Sequence, residues 1–161
     1  MSSVIFGMRL GTTIYERGKP KRTSQGARKN CKRSSMNKSK KRISEYGEVF
    51  TSEREVKAML NLVEHETQRI DARFFEPACG DGNFLIDVLR RKLKIVEERY
   101  SKNQSDFEKY SFLAVSSIYG VDILEDNVEA CRLRLLKHFE EIYVGLYTKI
   151  NEELLNAINF V

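Results

Sequence analysis

Tryptophan is absent from these 161 residues, and there are only two prolines, two histidines and three cysteines. Each scarcity closes off a class of protein. Cys31, Cys79 and Cys131 lie far apart with no C-x-x-C spacing, and His65 and His138 add little to them. That set is too sparse for a structural zinc site or a disulfide framework, and it fits a reducing, cytoplasmic setting. No apolar run approaches the ~20 residues that span a bilayer, so no integral membrane segment is expected. The opening Met1–Met8 has no charged leader before its short apolar stretch, which argues against a secretory signal.

Charge is unevenly spread. Residues 1–42 hold 13 Lys/Arg and a single acid, Glu16, a net +12. Residues 43–161 hold the remaining 15 bases against 22 acids, a net −7. The chain therefore reads as two electrostatic objects, a basic arm (1–42) and a globular body (43–161). The arm run from Arg17 to Asn30, continuing through Lys38–Arg42, offers bases and turn formers with little to bury. Such a composition is expected to stay disordered alone. It suits a nucleic-acid arm, whose Lys/Arg release counterions from phosphates, or else a solvated tail, an address signal or a remnant of gene rearrangement.

The body reads as alternating helices and strands. Ser52 followed by Glu55 is a capping-box pattern, and Val56, Met59, Leu60 and Val63 give a helical stripe fading near Glu66–Gln68. Ala72–Glu76 reads as a strand closed by Pro77. A helix follows from Phe84 towards Tyr100 with Phe84, Leu85, Val88, Leu89 and Val96 inward, and another carries Phe107, Tyr110, Leu113 and Ala114. Ser117–Ile123 is a second strand ending in an acid. From Glu125–Asp126 a further helix buries Val128, Cys131 or Arg132, Leu135, Leu136 and Phe139, with Gly145 breaking its pattern. A last amphipathic stretch uses Leu146, Ile150, Leu154, Leu155 and Ile158. This order is the start of a parallel α/β sheet with flanking helices, a partial Rossmann-like arrangement.

The segment Glu76-Pro-Ala-Cys-Gly-Asp-Gly-Asn carries the chemistry. A strand delivers Glu76 to its carboxyl end, and a helix begins a few residues on. The turn between must be tight, and Gly80 and Gly82 supply permissive dihedrals with no β-carbon to block a ligand. Open N–H groups at the next helix start favour an anionic group. There is neither G-x-x-x-x-G-K-[ST] nor the full G-x-G-x-x-G, and Asp81 between the glycines would repel a pyrophosphate. A ligand with an ammonium, hydroxyls and one carboxylate fits better, and S-adenosylmethionine is such a ligand. Asp122, 40 residues past Gly82, ends the next strand where an acid can accept from ribose hydroxyls.

Phe75-Glu-Pro-Ala-Cys-Gly-Asp-Gly-Asn-Phe-Leu85 resembles the first motif of S-adenosylmethionine-dependent DNA adenine-N6 methyltransferases of restriction-modification systems. Tyr119-Gly-Val-Asp-Ile resembles their second motif. Gly47-Glu-Val-Phe-Thr-Ser52 resembles their N-terminal cofactor motif, usually Phe-Thr-Pro, with Ser52 in place of the proline. The likeness covers about residues 43–145. It implies that Thr51 contacts the methionine carboxylate end and Glu76 the ammonium. Ala78, Cys79, Gly80, Asp81 and Gly82 would wrap the cofactor, and Asp122 with Ile123 would hold ribose and adenine. Each has a plainer role too: Thr51 can cap the helix, Cys79 can be a small packing residue, and Ile123 can be core.

Members of that family bind the flipped adenine with an [Asn/Asp/Ser]-Pro-Pro-[Tyr/Phe] loop. With Pro20 and Pro77 the only prolines, these residues contain no such loop, so no catalytic residue is assigned. The expectation is a cofactor-binding N-terminal portion, inactive as this chain alone and either completed by a second polypeptide or vestigial, with DNA as the partner. An RNA or protein methyltransferase fragment, and a non-catalytic nucleic-acid-binding protein, remain the alternatives.

Overall fold

The structure, a computed structural model, describes residues 4–6, 42–46, 48–49 and 51–159. The basic run from Arg17 to Asn30 and Cys31 lie outside them, as does the expectation that the run is disordered. Residues 42–46 form a helical turn in a separate unit, within which Arg42 Nη1 pairs with Glu48 Oε1 at 3.3 Å.

In the larger unit the order is β1 (Val4–Phe6), α1 (Glu53–Leu62), α2 (Glu64–Thr67), β2 (Phe74–Glu76), α3 (Asn83–Tyr100), α4 (Gln104–Ser116), β3 (Ile118–Asp122), α5 (Glu125–Leu146) and α6 (Glu152–Asn159). The sheet order is β1-β3-β2. β2 runs parallel to β3, with Phe74 opposite Ile118 and Glu76 opposite Gly120. β1 runs antiparallel to β3, with Val4 opposite Asp122 and Phe6 opposite Gly120. This unit is thus a helix-rich α/β arrangement around a small mixed sheet. β1 departs from the expectation of an unstructured arm before residue 43. Val-Ile-Phe is β-prone, and the outer edge of β3 would otherwise present unpaired backbone groups.

The helices start where their sequence says they should. Ser52 caps α1 through the Glu55 amide, and Glu55 reaches back to the Ser52 N–H at 3.2 Å. Asn103 caps α4 through the amides of Ser105 and Asp106. α3 is the hub, packing against α1, α4, α5, β2 and β3. Its Leu85, Val88, Leu89, Leu93 and Val96 are sealed in the core with Leu60, Phe107, Phe139 and Tyr143. Some stripe positions turn outward instead: Met59 is 53% and Leu113 40% exposed. Cys131, not Arg132, is the inward residue of its pair. α5 continues through Gly145 to Leu146, so Lys137 and His138 sit before its last turn.

Two polar assemblies lock the core. The hydroxyl of buried Tyr143 donates to Glu108 Oε1 and accepts from Gln104 Nε2 at 2.9 Å and from the Asn151 amide at 3.1 Å, fastening the segment before α6 to α4 and α5. Lys92, 0% exposed, donates from Nζ to Ile70 O at 3.1 Å, to Ala72 O and to Ser117 Oγ. Its Nζ also lies 5.2 Å from the centre of the Phe74 ring. One ammonium with three donors thereby ties together the amino ends of β2 and β3. Burial pushes its pKa down to about 8.

Candidate functional site

At the opposite, carboxyl ends of the parallel strands the chain must leave β2, turn and enter α3 within six residues. The turn is possible because Gly80 and Gly82 take φ of 53° and 90°, values a residue with a β-carbon adopts only with strain. The Cys79 N–H donates to Val121 O at 2.9 Å, and the Gly82 N–H returns to Cys79 O at 2.9 Å. Gly82 caps α3 without any side-chain acceptor. The first-turn amides of an 18-residue helix therefore have no side-chain cap from Gly82.

Asp122 anchors this turn to β3. Its Oδ2 accepts the Gly80 N–H at 2.9 Å, and its Oδ1 accepts the Leu124 N–H at 2.8 Å and Asn127 Nδ2 at 3.2 Å. With about two lone-pair positions per oxygen, Oδ1 is filled and Oδ2 keeps one acceptor position. The Ala78 N–H donates to Glu76 Oε1 at 3.3 Å, which folds that carboxylate over the loop. No described protein group is recorded as a partner for its other oxygen.

Thr51, Glu76, Ala78, Cys79, Gly80 and Asp81 line one cleft of about 170 Å³, together with Met59, Asn83 and Phe84. Six of the nine residues singled out from the sequence thus meet at one place. The other three stand apart from the cleft wall. Gly82 is packed against α5, where a β-carbon would come 2.5 Å from Cys131 Sγ. Asp122 reaches the turn through Gly80, and Ile123 is 56% exposed just beyond the end of β3. The capping alternative for Thr51 falls to its neighbour, since Ser52 is the cap.

Three contributors were not singled out from the sequence. Arg134 on α5 donates to Asp81 O at 2.8 Å, pairs with Asp81 Oδ2 at 2.8 Å and donates to Asn83 Oδ1 at 3.0 Å. Asn83 in turn donates to Thr51 O at 3.2 Å, so Arg134 and Asn83 brace three walls of the cleft at once. Asp81 Oδ1 is buried with no protein partner. Gly120 lets α3 and the turn close on β3, since a β-carbon there would lie 2.8 Å from Leu85 Cδ1 and 3.1 Å from Cys79 Sγ. The Tyr-Gly-Val-Asp run carried a signal for Gly120; nothing in the sequence marked Arg134, which lies 53 residues from Asp81.

A larger recess of about 520 Å³ lies by the amino ends of the strands. Within it Arg69 pairs with both Glu66 and Asp71. The described residues hold no cluster of ligands suited to a metal ion. None of their helices is long and apolar enough to cross a membrane.

No protein-family profile matches the chain, and no solved structure matches it. One curated protein does. Over 66 residues the chain is 35% identical to a Methanocaldococcus jannaschii protein named as a type II restriction enzyme and methyltransferase. The matched stretch is 39% of this chain and 6% of the relative's length. The chain therefore corresponds to a small part of that relative, and is similar to a restriction-modification methyltransferase there.

Proposed function

We propose that this chain binds S-adenosylmethionine as the cofactor portion of a restriction-modification DNA adenine-N6 methyltransferase with a Rossmann-like core. The observation that carries the reading is the convergence of Glu76, the two-glycine turn and Asp122 at the carboxyl ends of adjacent parallel strands, the place where open α/β sheets hold ligands. The donor set fits the cofactor on chemistry. The α3 amino end, left without a side-chain cap, suits a carboxylate. Glu76 and the partnerless Asp81 Oδ1 suit an ammonium. The remaining acceptor position on Asp122 suits a ribose hydroxyl. A cleft of about 170 Å³ is below the ~300 Å³ where ligand pockets usually begin. It takes the amino-acid end, with the nucleoside over the open strand ends near Ile123.

When bound, S-adenosylmethionine supplies an electrophilic methyl group. The residues of this chain bind and orient it, and they include no loop of the kind that receives adenine. The likeness to the relative and the +12 charge of residues 1–42 support DNA as the partner.

Isothermal titration with S-adenosylmethionine tests the reading. Saturable binding is expected, weakened by about 1–3 kcal/mol in Glu76→Gln, as loss of a charged hydrogen bond does. A folded chain that ignores S-adenosylmethionine yet binds DNA would overturn it in favour of a non-catalytic nucleic-acid-binding protein.

A further inference from the structure

Beneath the glycine turn lies a pair of thiols whose chemistry cofactor binding does not use. Cys79 and Cys131 are both free, at 7% and 1% exposure, and their thiols are near enough to shift each other's pKa, Cys79 down and Cys131 up. They come from elements 52 residues apart in sequence, the loop after β2 and the second turn of α5. Cys79 lines the cleft, so a small oxidant has a way to it, while Cys131 lies behind. The two sulfurs share their packing with the turn. Gly82 sits against Cys131 with no room for even one added carbon, and its N–H is bonded to the Cys79 carbonyl. On the far side, Gly120 is pressed against the Cys79 side chain.

We propose that Cys79 and Cys131 form a reversible disulfide that displaces the glycine turn and shuts the cleft to S-adenosylmethionine, a thiol switch on the site; this rests on the cofactor reading above. A peroxide is the oxidant. The Cys79 thiolate attacks one peroxide oxygen, the O–O bond breaks, and a sulfenic acid forms while the leaving hydroxide takes a proton to become water. The Cys131 sulfur then attacks the Cys79 sulfur, the S–O bond breaks and a second water leaves with the Cys131 proton. Two thiols are oxidised to one disulfide as one peroxide is reduced to two waters. A dithiol reverses the bond by exchange and is itself oxidised. The Cys131 hydrogen bond holds Cys79 below the ordinary thiol value against the opposing effect of burial, and a thiolate is the reactive form. A covalent bond is shorter than a hydrogen-bonded thiol contact, so oxidation draws Cys79 towards α5. The turn bonded to it follows, and the Gly80 N–H is pulled from Asp122.

The test uses the full chain carrying Cys31→Ser, so that this pair holds the only thiols. It is treated with hydrogen peroxide and then with dithiothreitol. Non-reducing peptide mass spectrometry is expected to show a Cys79–Cys131 linkage. Titration is expected to show S-adenosylmethionine affinity falling at least about tenfold on oxidation and returning on reduction. Cys131→Ala, and Cys131→Ser should the alanine variant fold poorly, is expected to bind the cofactor but ignore peroxide. Absence of the linkage, or a linked chain that binds as well as the reduced one, overturns the proposal. Should the reduced chain itself fail to bind, the cofactor reading falls, and amide exchange of residues 78–82 decides the switch. Exchange altered by oxidation supports a turn moved by the disulfide, and unaltered exchange overturns it.

Discussion

The parallel strands β2 and β3 are bound together at both ends, and the two ends are built on opposite principles. At the amino end one buried cation, Lys92, fills all its donor positions with Ile70 O, Ala72 O and Ser117 Oγ. At the carboxyl end one carboxylate, Asp122, receives backbone N–H groups from Gly80 and Leu124. At the first end the Lys92 cluster is buried and fully paired. The second is half-open, and keeps Asp81 Oδ1, one Glu76 oxygen and one Asp122 acceptor position without protein partners. Saturated polar groups stabilise a fold; unsaturated ones beside a cleft are available to a ligand. Under the proposed function, the contrast separates stability at one end from binding at the other.

The sharpest way to break that assignment is Lys92→Ala. It removes three hydrogen bonds, takes the Lys92 donor from Ala72 O and opens a cavity, so a loss of about 4 kcal/mol is expected in urea unfolding. S-adenosylmethionine affinity should change little in the fraction that stays folded. A stable variant with weakened binding would show the two ends to be coupled.

Titration of the same lysine gives the next effect. Its folded pKa of about 8 lies below the ordinary 10.5, so between those values the unfolded chain holds the extra proton. Stability contributed by this group therefore rises with pH across that window, by up to about 3 kcal/mol. Below pH 8 both states carry the charge and the group contributes no slope. Urea midpoints from pH 7 to 10.5 check this, with Lys92→Met expected to flatten the rise.

Gly82→Ala probes the open end. A β-carbon at φ 90° is strained and would sit 2.5 Å from Cys131 Sγ, so a stability loss of about 3 kcal/mol is expected. Here, unlike at Lys92, binding should fall too, because the turn itself is the cleft wall. Unchanged cofactor affinity in the folded fraction would place the ligand elsewhere.

How far the sequence foretold these ends follows from what each is made of. The strands, the Ser52 cap, the glycine turn and the acids at the strand ends are local patterns, and each was legible. The strand pairing of Val4–Phe6 was not, because a three-residue apolar run inside a basic segment is too short to show a period. Lys92 could have been found: Leu85, Leu89, Lys92 and Val96 share one helical stripe, and a lysine there must bury or snorkel. Arg134 could not, since its role depends on how α5 packs across the turn. The same limit holds for the thiol pair, whose members are joined only by the fold.

Arg134→Gln gives the smallest expected stability change and the finest separation of the two roles. Its pair with Asp81 is about a third exposed on each side, so solvent screening limits its value to about 0.5–1 kcal/mol. Its geometric work is larger. One guanidinium holds the Asp81 carbonyl and carboxylate and, through Asn83, the Thr51 carbonyl. Glutamine is shorter and uncharged and cannot span those partners, and lysine lacks the planar fork needed to hold them together. Both variants are therefore expected to unfold near the parent midpoint and to bind S-adenosylmethionine about tenfold more weakly, by titration on matched samples. A parent-like affinity in Arg134→Gln would mean that the glycine turn holds its shape unaided and that Asp122 alone sets the site.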